Sequence, residues 1–185
     1  MNGSDLFKAF LDALEGVLRG FAVKPDVPGA VSLQSDTLPT GYSQQDEETR
    51  QRLGVLRAAR SMLGTPYKFG AEWEPGKINP AGIDCSELVE RSYREGAGLT
   101  IPDGCVYQQA HCQRVNTPKE ADLIFLGPNA KGIRHVLIVN GDGSVIHAKG
   151  GVGVVQEDME PWVRHARFQG YYRIPEWSRP LEDRC

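Results

Sequence analysis

No run in this sequence is long and apolar enough to span a bilayer, and its first turns are broken by Asp5, Lys8, Asp12 and Glu15 where a signal peptide needs an uninterrupted apolar stretch. Synthesis in the cytoplasm is the expectation. An excess of charge of one sign is missing too: 21 basic residues stand against 24 acidic ones, so neither a basic stripe for nucleic acid nor an acidic tail for a cationic partner is present. Cysteines are few, at positions 85, 105, 112 and 185, with no C-x-x-C pair. That spacing excludes the usual zinc site and disulfide framework, and His111 beside Cys112 is the nearest approach to a metal pair. No metal or organic cofactor is expected. What remains, at 185 residues, is room for one domain with a core and an appended segment.

Leu6, Phe10, Leu14, Val17 and Phe21 fall at helical spacing, with charged residues between them and Ser4 as N-cap, so an amphipathic helix is expected over 1–21. It would dock on the following domain or serve as a contact for an oligomer or partner. Pro25, Pro28, Gly29, Pro39 and Gly41 then mark a linker over 22–42. Ser43 with Asp46 forms a capping-box signature, and Leu53, Leu56, Ala59, Met62 and Leu63 predict a helix from about 44 to 63 that Gly64 ends. Residues 64–82 mix Gly and Pro with Tyr67, Phe69 and Trp73, which suits an aromatic-walled loop at a cleft. A helix from Asp84 and a shorter one near 106–112 follow. Beyond them, "ADLIFLG", "RHVLIVNG", "SVIHAKG", "GVVQED" and "GYYRIP" read as strands of an antiparallel meander. Helices first and hairpins afterwards make an α+β domain over 43–176, with a tail at 177–185.

Within "GIDCSELVERSY", Asp84 is an apt N-cap and Glu87 completes a D-x-x-E box, which makes Cys85 the first helical residue. A helix start favours an anion, and the thiolate is the form of cysteine that attacks. The same free amides can bind an oxyanion. Cys85 also shares a face with Leu88 and Val89, so the helix alone leaves plain packing and chemistry equally open. A base decides between them. His135 opens "HVLIVN" and His147 closes "SVIH", joined through Gly141–Gly143. Side chains alternate along strands, so a three-residue loop puts both imidazoles on one face, whereas a two-residue turn would oppose them. One histidine can then take the proton of Cys85 while the other fixes its tautomer, the arrangement used in covalent acyl transfer.

"GTPYKFG", "DCSELV" and "RHVLIVNGDGSVIHA", in that order, resemble the NlpC-type peptidoglycan cysteine peptidases over roughly residues 50 to 160. The resemblance implies a papain-like fold with Cys85 as nucleophile, His135 as general base and His147 as orienting residue. It also implies that Tyr67 lines the oxyanion region, while Asp84 and Ser86 flank the nucleophile on the substrate side. Gln108 or Gln109 lies near a glutamine the family often carries. Glu87 and Ala71 stand where the family commonly has glycine, "AEWEPGKINPAG" is a longer approach than usual, and Ala121 replaces the glycine expected before Asp122.

The implied activity is hydrolysis of an amide in peptidoglycan stem peptides, usually the one joining D-γ-glutamyl to a diamino acid. The rivals are a muramoyl-L-alanine amidase, another papain-like acyl transfer, and a non-catalytic module of a phage tail or secretion apparatus. Expected partners are stem peptides, with no nucleic acid. Action at the wall would follow release or delivery, as by phage lysis, a virion or a secretion system.

Overall fold

The computed structural model describes residues 43–71, 81–128 and 135–177. The expected N-terminal helix and linker, the middle of the 71–82 approach and residues 178–185 lie outside the described residues. Trp177, which opens the expected tail, is 5% exposed and stacks on Tyr93.

Helix α1 spans Gln44–Ser61, and Ser43 caps it through the reciprocal bonds with Asp46. Its buried face differs from the predicted stripe. Leu53 and Leu63 are exposed, while Arg52, Gly54, Val55, Leu56, Ala59 and Met62 are buried. Tertiary partners set this phase. Asp122, with no exposed surface, bonds Arg52, Arg173 and the Lys119 amide, and the Arg52 guanidinium lies 4.0 Å over the Trp177 ring. Gly54 meets Gly96 of helix α2 (Cys85–Ala97) so closely that a Cβ there would stand 1.9 Å from the Gly96 carbonyl oxygen. Helix α2 ends at Gly98 in the left-handed conformation, and helix α3 follows at Cys105–His111.

Six strands form one antiparallel sheet: β1 Gln113–Val115, β2 Leu123–Leu126, β3 His135–Val139, β4 Ser144–Lys149, β5 Gly153–Asp158 and β6 Phe168–Arg173. The order β1-β6-β2-β3-β4-β5 corrects the simple meander, because β6 returns to lie between β2 and the short, unforeseen β1. One face, with Leu123, Phe125, Val136, Ile138, Ile146 and Ala148, shares a core with Val55, Leu56, Leu88 and Val89 of the helices. The other buries Ile124, Leu137, Val139 and Val145 under Met159, Trp162 and Val163, the last two belonging to helix α4 (Glu160–Val163). This α+β arrangement is papain-like. No described helix is long and apolar enough to cross a membrane.

Candidate active site

Asp84 starts α2 by accepting from the Glu87 amide at 2.9 Å. The return bond from the Glu87 side chain is absent, so the expected capping box is only half made. Asp84 instead accepts from Ser86 Oγ at 2.9 Å and from the Gly70 amide at 3.0 Å, which fastens the "GTPYKFG" loop to the helix start. Pairing of Tyr67 with Ile83 tightens the same joint. Asp84 and Ser86 are thus buried and bonded to each other, and the Ser86 carbonyl accepts from Gln108 Nε2. Gln109 bonds Tyr172 instead. Of the first-turn amides, Glu87 is capped and Leu88 bonds the Asp84 carbonyl, while those of Cys85 and Ser86 have no acceptor among the described residues.

Cys85 is 6% exposed, and its sulfur faces three donors. A hydrogen bond from the Cys105 thiol, with Sγ to Sγ at 3.5 Å, contributes most to holding its pKa down. Burial opposes this, and the His135 side chain, its positive charge and the Val136 amide add to the depression, which reaches about 5. Cys105 shifts the opposite way, first through its bond to Cys85 and then through burial. The pair therefore shares one ready proton loss, and it belongs to Cys85. The Tyr67 phenol beside them is raised by burial and by the charges of Cys85, Asp84 and Cys105. Glu87 is not among the groups that shift the sulfur. Its own carboxyl is pushed to about 7 by burial, then by Asp84 and Glu90, with Arg91 opposing and Asp103 adding.

The imidazoles meet through the hairpin. Asn140 donates to the Ser144 carbonyl, Val139 pairs with Val145, and the three residues between Asn140 and Ser144 leave His135 and His147 on one face. His135 Nε2 lies 2.8 Å from His147 Nδ1, and His147 Nε2 lies 3.1 Å from Glu157 Oε2. Donor accounting assigns the protons. Glu157 is held ionised chiefly by Lys149, so His147 must donate from Nε2 and accept at Nδ1. His135 then donates from Nε2 and turns Nδ1 to the sulfur, where it takes the thiol proton and, once protonated, donates to the thiolate. His147, with no exposed surface, is lowered to about 4 by burial and by the charge of His135, against the pull of Glu157. Trp162 covers both rings, with centroids 4.7 Å from His147 and 5.9 Å from His135.

Glu157 and Cys105 were not among the residues singled out from the sequence. Glu157 sits in "GVVQED" two residues past the partner of His147, Val155, and strand alternation puts it on the histidine's side. Cys105 carries no such local signal. No group of metal-binding side chains occurs among the described residues. A cavity of about 910 Å³ lined by Gln45, Thr49, Lys119 and Gly141, among others, shares no residue with this site.

The chain matches the sequence model of the NlpC/P60 family over residues 64–171. It is 32% identical over 160 residues to the peptidoglycan endopeptidase RipB of Mycobacterium tuberculosis, covering 82% of this chain but only 62% of RipB. The murein DD-endopeptidase/LD-carboxypeptidase MepS of Escherichia coli is 33% identical over half of each chain (50% and 50%). A gamma-DL-glutamyl hydrolase of Bacillus subtilis is 31% identical across 70% of this chain and 31% of its own. The solved structure of RipB superposes with a TM-score of 0.57 at 26% identity, covering 92% of this chain and 83% of that one.

Proposed function

The chain belongs to the NlpC/P60 family, and on that premise we propose that it is a cysteine endopeptidase of bacterial peptidoglycan, cutting the stem-peptide amide between D-γ-glutamyl and a diamino acid. The observation that carries this reading is the unbroken line from Cys85 through His135 and His147 to Glu157. The name of the γ-glutamyl hydrolase relative supports the choice of bond.

In this reading the Cys85 thiolate attacks the carbonyl carbon. The free amides of Cys85 and Ser86 and the Tyr67 phenol face the oxyanion that forms. Protonated His135 gives its proton to the departing amine, which leaves a thioester. His135 then takes a proton from water, and the hydroxide releases the acid and restores the thiol. His147 keeps the reactive nitrogen of His135 aimed at the sulfur, and Glu157 fixes the tautomer of both rings. Asp84 and Ser86 serve by holding the Tyr67 loop against the helix start.

Mass spectrometry of defined muropeptides tests the assignment. Wild-type protein is expected to release a fragment with a new diamino-acid N-terminus, and Cys85→Ala, folded by circular dichroism, is expected to release none. Cleavage at a D-alanyl or muramoyl bond would move the activity to a different amide. A folded wild type that cuts nothing and whose Cys85 alkylates no faster than Cys112 would leave a binding module.

A further inference from the structure

The proposed mechanism uses one sulfur of a touching pair. Cys105 opens α3 immediately after Gly104, and its Sγ is 3.5 Å from that of Cys85. Both side chains belong to the same core, yet Cys112 of that core has no sulfur contact among the described residues. A disulfide needs a separation of about 2.05 Å, so the two atoms must approach by roughly 1.5 Å.

The two ends differ in their freedom to move. Cys85 stands at the head of a 13-residue helix clamped by Asp84, whereas α3 has seven residues and no side-chain cap. Gly104 has φ of 82°, and the nearest atom to a Cβ built there is a Tyr107 ring carbon at 3.6 Å. The space beside its Cα is therefore open, although Gln108 ties α3 to the Ser86 carbonyl, and we assign the approach to Cys105. A small peroxide can reach a sulfur that a peptide carbonyl must also reach.

We propose that Cys85 and Cys105 form a modification site for peroxide, closing to a reversible disulfide that masks the nucleophile and spares it further oxidation. The Cys85 thiolate attacks one peroxide oxygen, the O–O bond breaks, and the departing oxygen leaves as water after taking a proton, giving a sulfenic acid at Cys85. The Cys105 sulfur then attacks the sulfenic sulfur, and its proton leaves with the hydroxyl as a second water. Two thiols lose two electrons, and the peroxide gains them. A dithiol reverses the bond by exchange and becomes the oxidised partner.

The test uses the full chain, reduced, freed of reductant, treated with hydrogen peroxide at pH 7, quenched with iodoacetamide and mapped without reduction. The expected result is a mass loss of about 2 Da with a cross-linked peptide pair carrying Cys85 and Cys105, and recovery of both thiols in dithiothreitol. Cys105→Ser is expected instead to gain about 32 or 48 Da at Cys85, which dithiothreitol does not reverse. Cys112→Ala is expected to keep the wild-type cross-link, so the assignment survives even where Cys105→Ser folds poorly. A wild-type Cys85 that stays reduced, oxidises past sulfenic acid without the cross-link, or pairs with Cys112 or Cys185 overturns the proposal. None of these readouts involves turnover, so they stand apart from the choice of substrate bond.

Discussion

The site has two halves built by different means. The imidazole half is carried by registered strands: three side chains in a row, His135, His147 and Glu157, each fixed by the next, with Trp162 covering the two rings. The sulfur half hangs on a helix tip, a tight loop and a seven-residue helix, and its main partner is another thiol. Burial alone does not set reactivity here. Of three free thiols in one core, Cys85 is drawn down to about 5 because three donors face it, and Cys112 is pushed up to about 12 because burial is met only by the negative charges of Glu176 and Asp122.

The sharpest way to break the comparison is to cut the strand-borne row at its far end. Glu157→Leu removes the acceptor that fixes both tautomers, and is expected to lower kcat/KM on muropeptides by roughly 10- to 100-fold with little change in KM. Glu157→Gln should lose less, because its amide oxygen still accepts from His147 Nε2. Equal activity in Glu157→Leu and wild type would remove Glu157 from the mechanism.

The sulfur half is sharpened by pH. With the Cys85 value near 5, its thiolate fraction rises from roughly a tenth at pH 4 to nine-tenths at pH 6, so alkylation should quicken about tenfold over that interval and then level off. Cys112, near 12, should still be quickening at pH 9. A Cys85 profile that climbs through pH 8 would mean that the three donors do not hold the anion.

A smaller effect concerns Glu87. Its folded value, about 7, lies above the ordinary value of 4.5, so the folded state binds more protons between the two and stability falls as pH rises through that window. Glu87→Gln should therefore be the more stable at pH 8, by on the order of 1 kcal/mol, and should match wild type near pH 4. Thermal unfolding at the two pH values checks both the sign and the window.

The smallest lies outside both halves. Ala121 holds φ of 58°, the left-handed region, just before the buried Asp122. Ala121→Gly relieves that strain but gains freedom in the unfolded chain, so a net stabilisation of only about 0.5 kcal/mol is expected, read as a small rise in Tm. A loss of stability would mean that the alanine methyl, fully buried, contributes more by packing than its backbone costs.

How much of this could be read from the chain follows from how local each cause is. Ser43 with Asp46 and Asp84 with the Glu87 amide act within one turn, so both helix starts were legible. The two histidines sharing a face followed from counting Gly141 to Gly143 and from nothing farther away. The phase of α1 was not legible, because Arg52 and Gly54 are turned inward by Asp122 and Gly96, distant in sequence. Glu157 required the β4–β5 register, and Cys105 required the placement of α3 against α2. The position of β6 between β1 and β2 depends on pairing across more than forty residues of chain.

The contact between Gly54 and Gly96 reaches farther than the two helices it joins. Gly96 lies eleven residues along α2 from Cys85, about 16 Å at the rise of an α-helix, so this bare spot acts as a zero mark on a ruler whose other end carries the sulfur. Any side chain added there would slide or tilt the rod, and the displacement would be spent at its tip, where an ångström separates a nucleophile from a bystander.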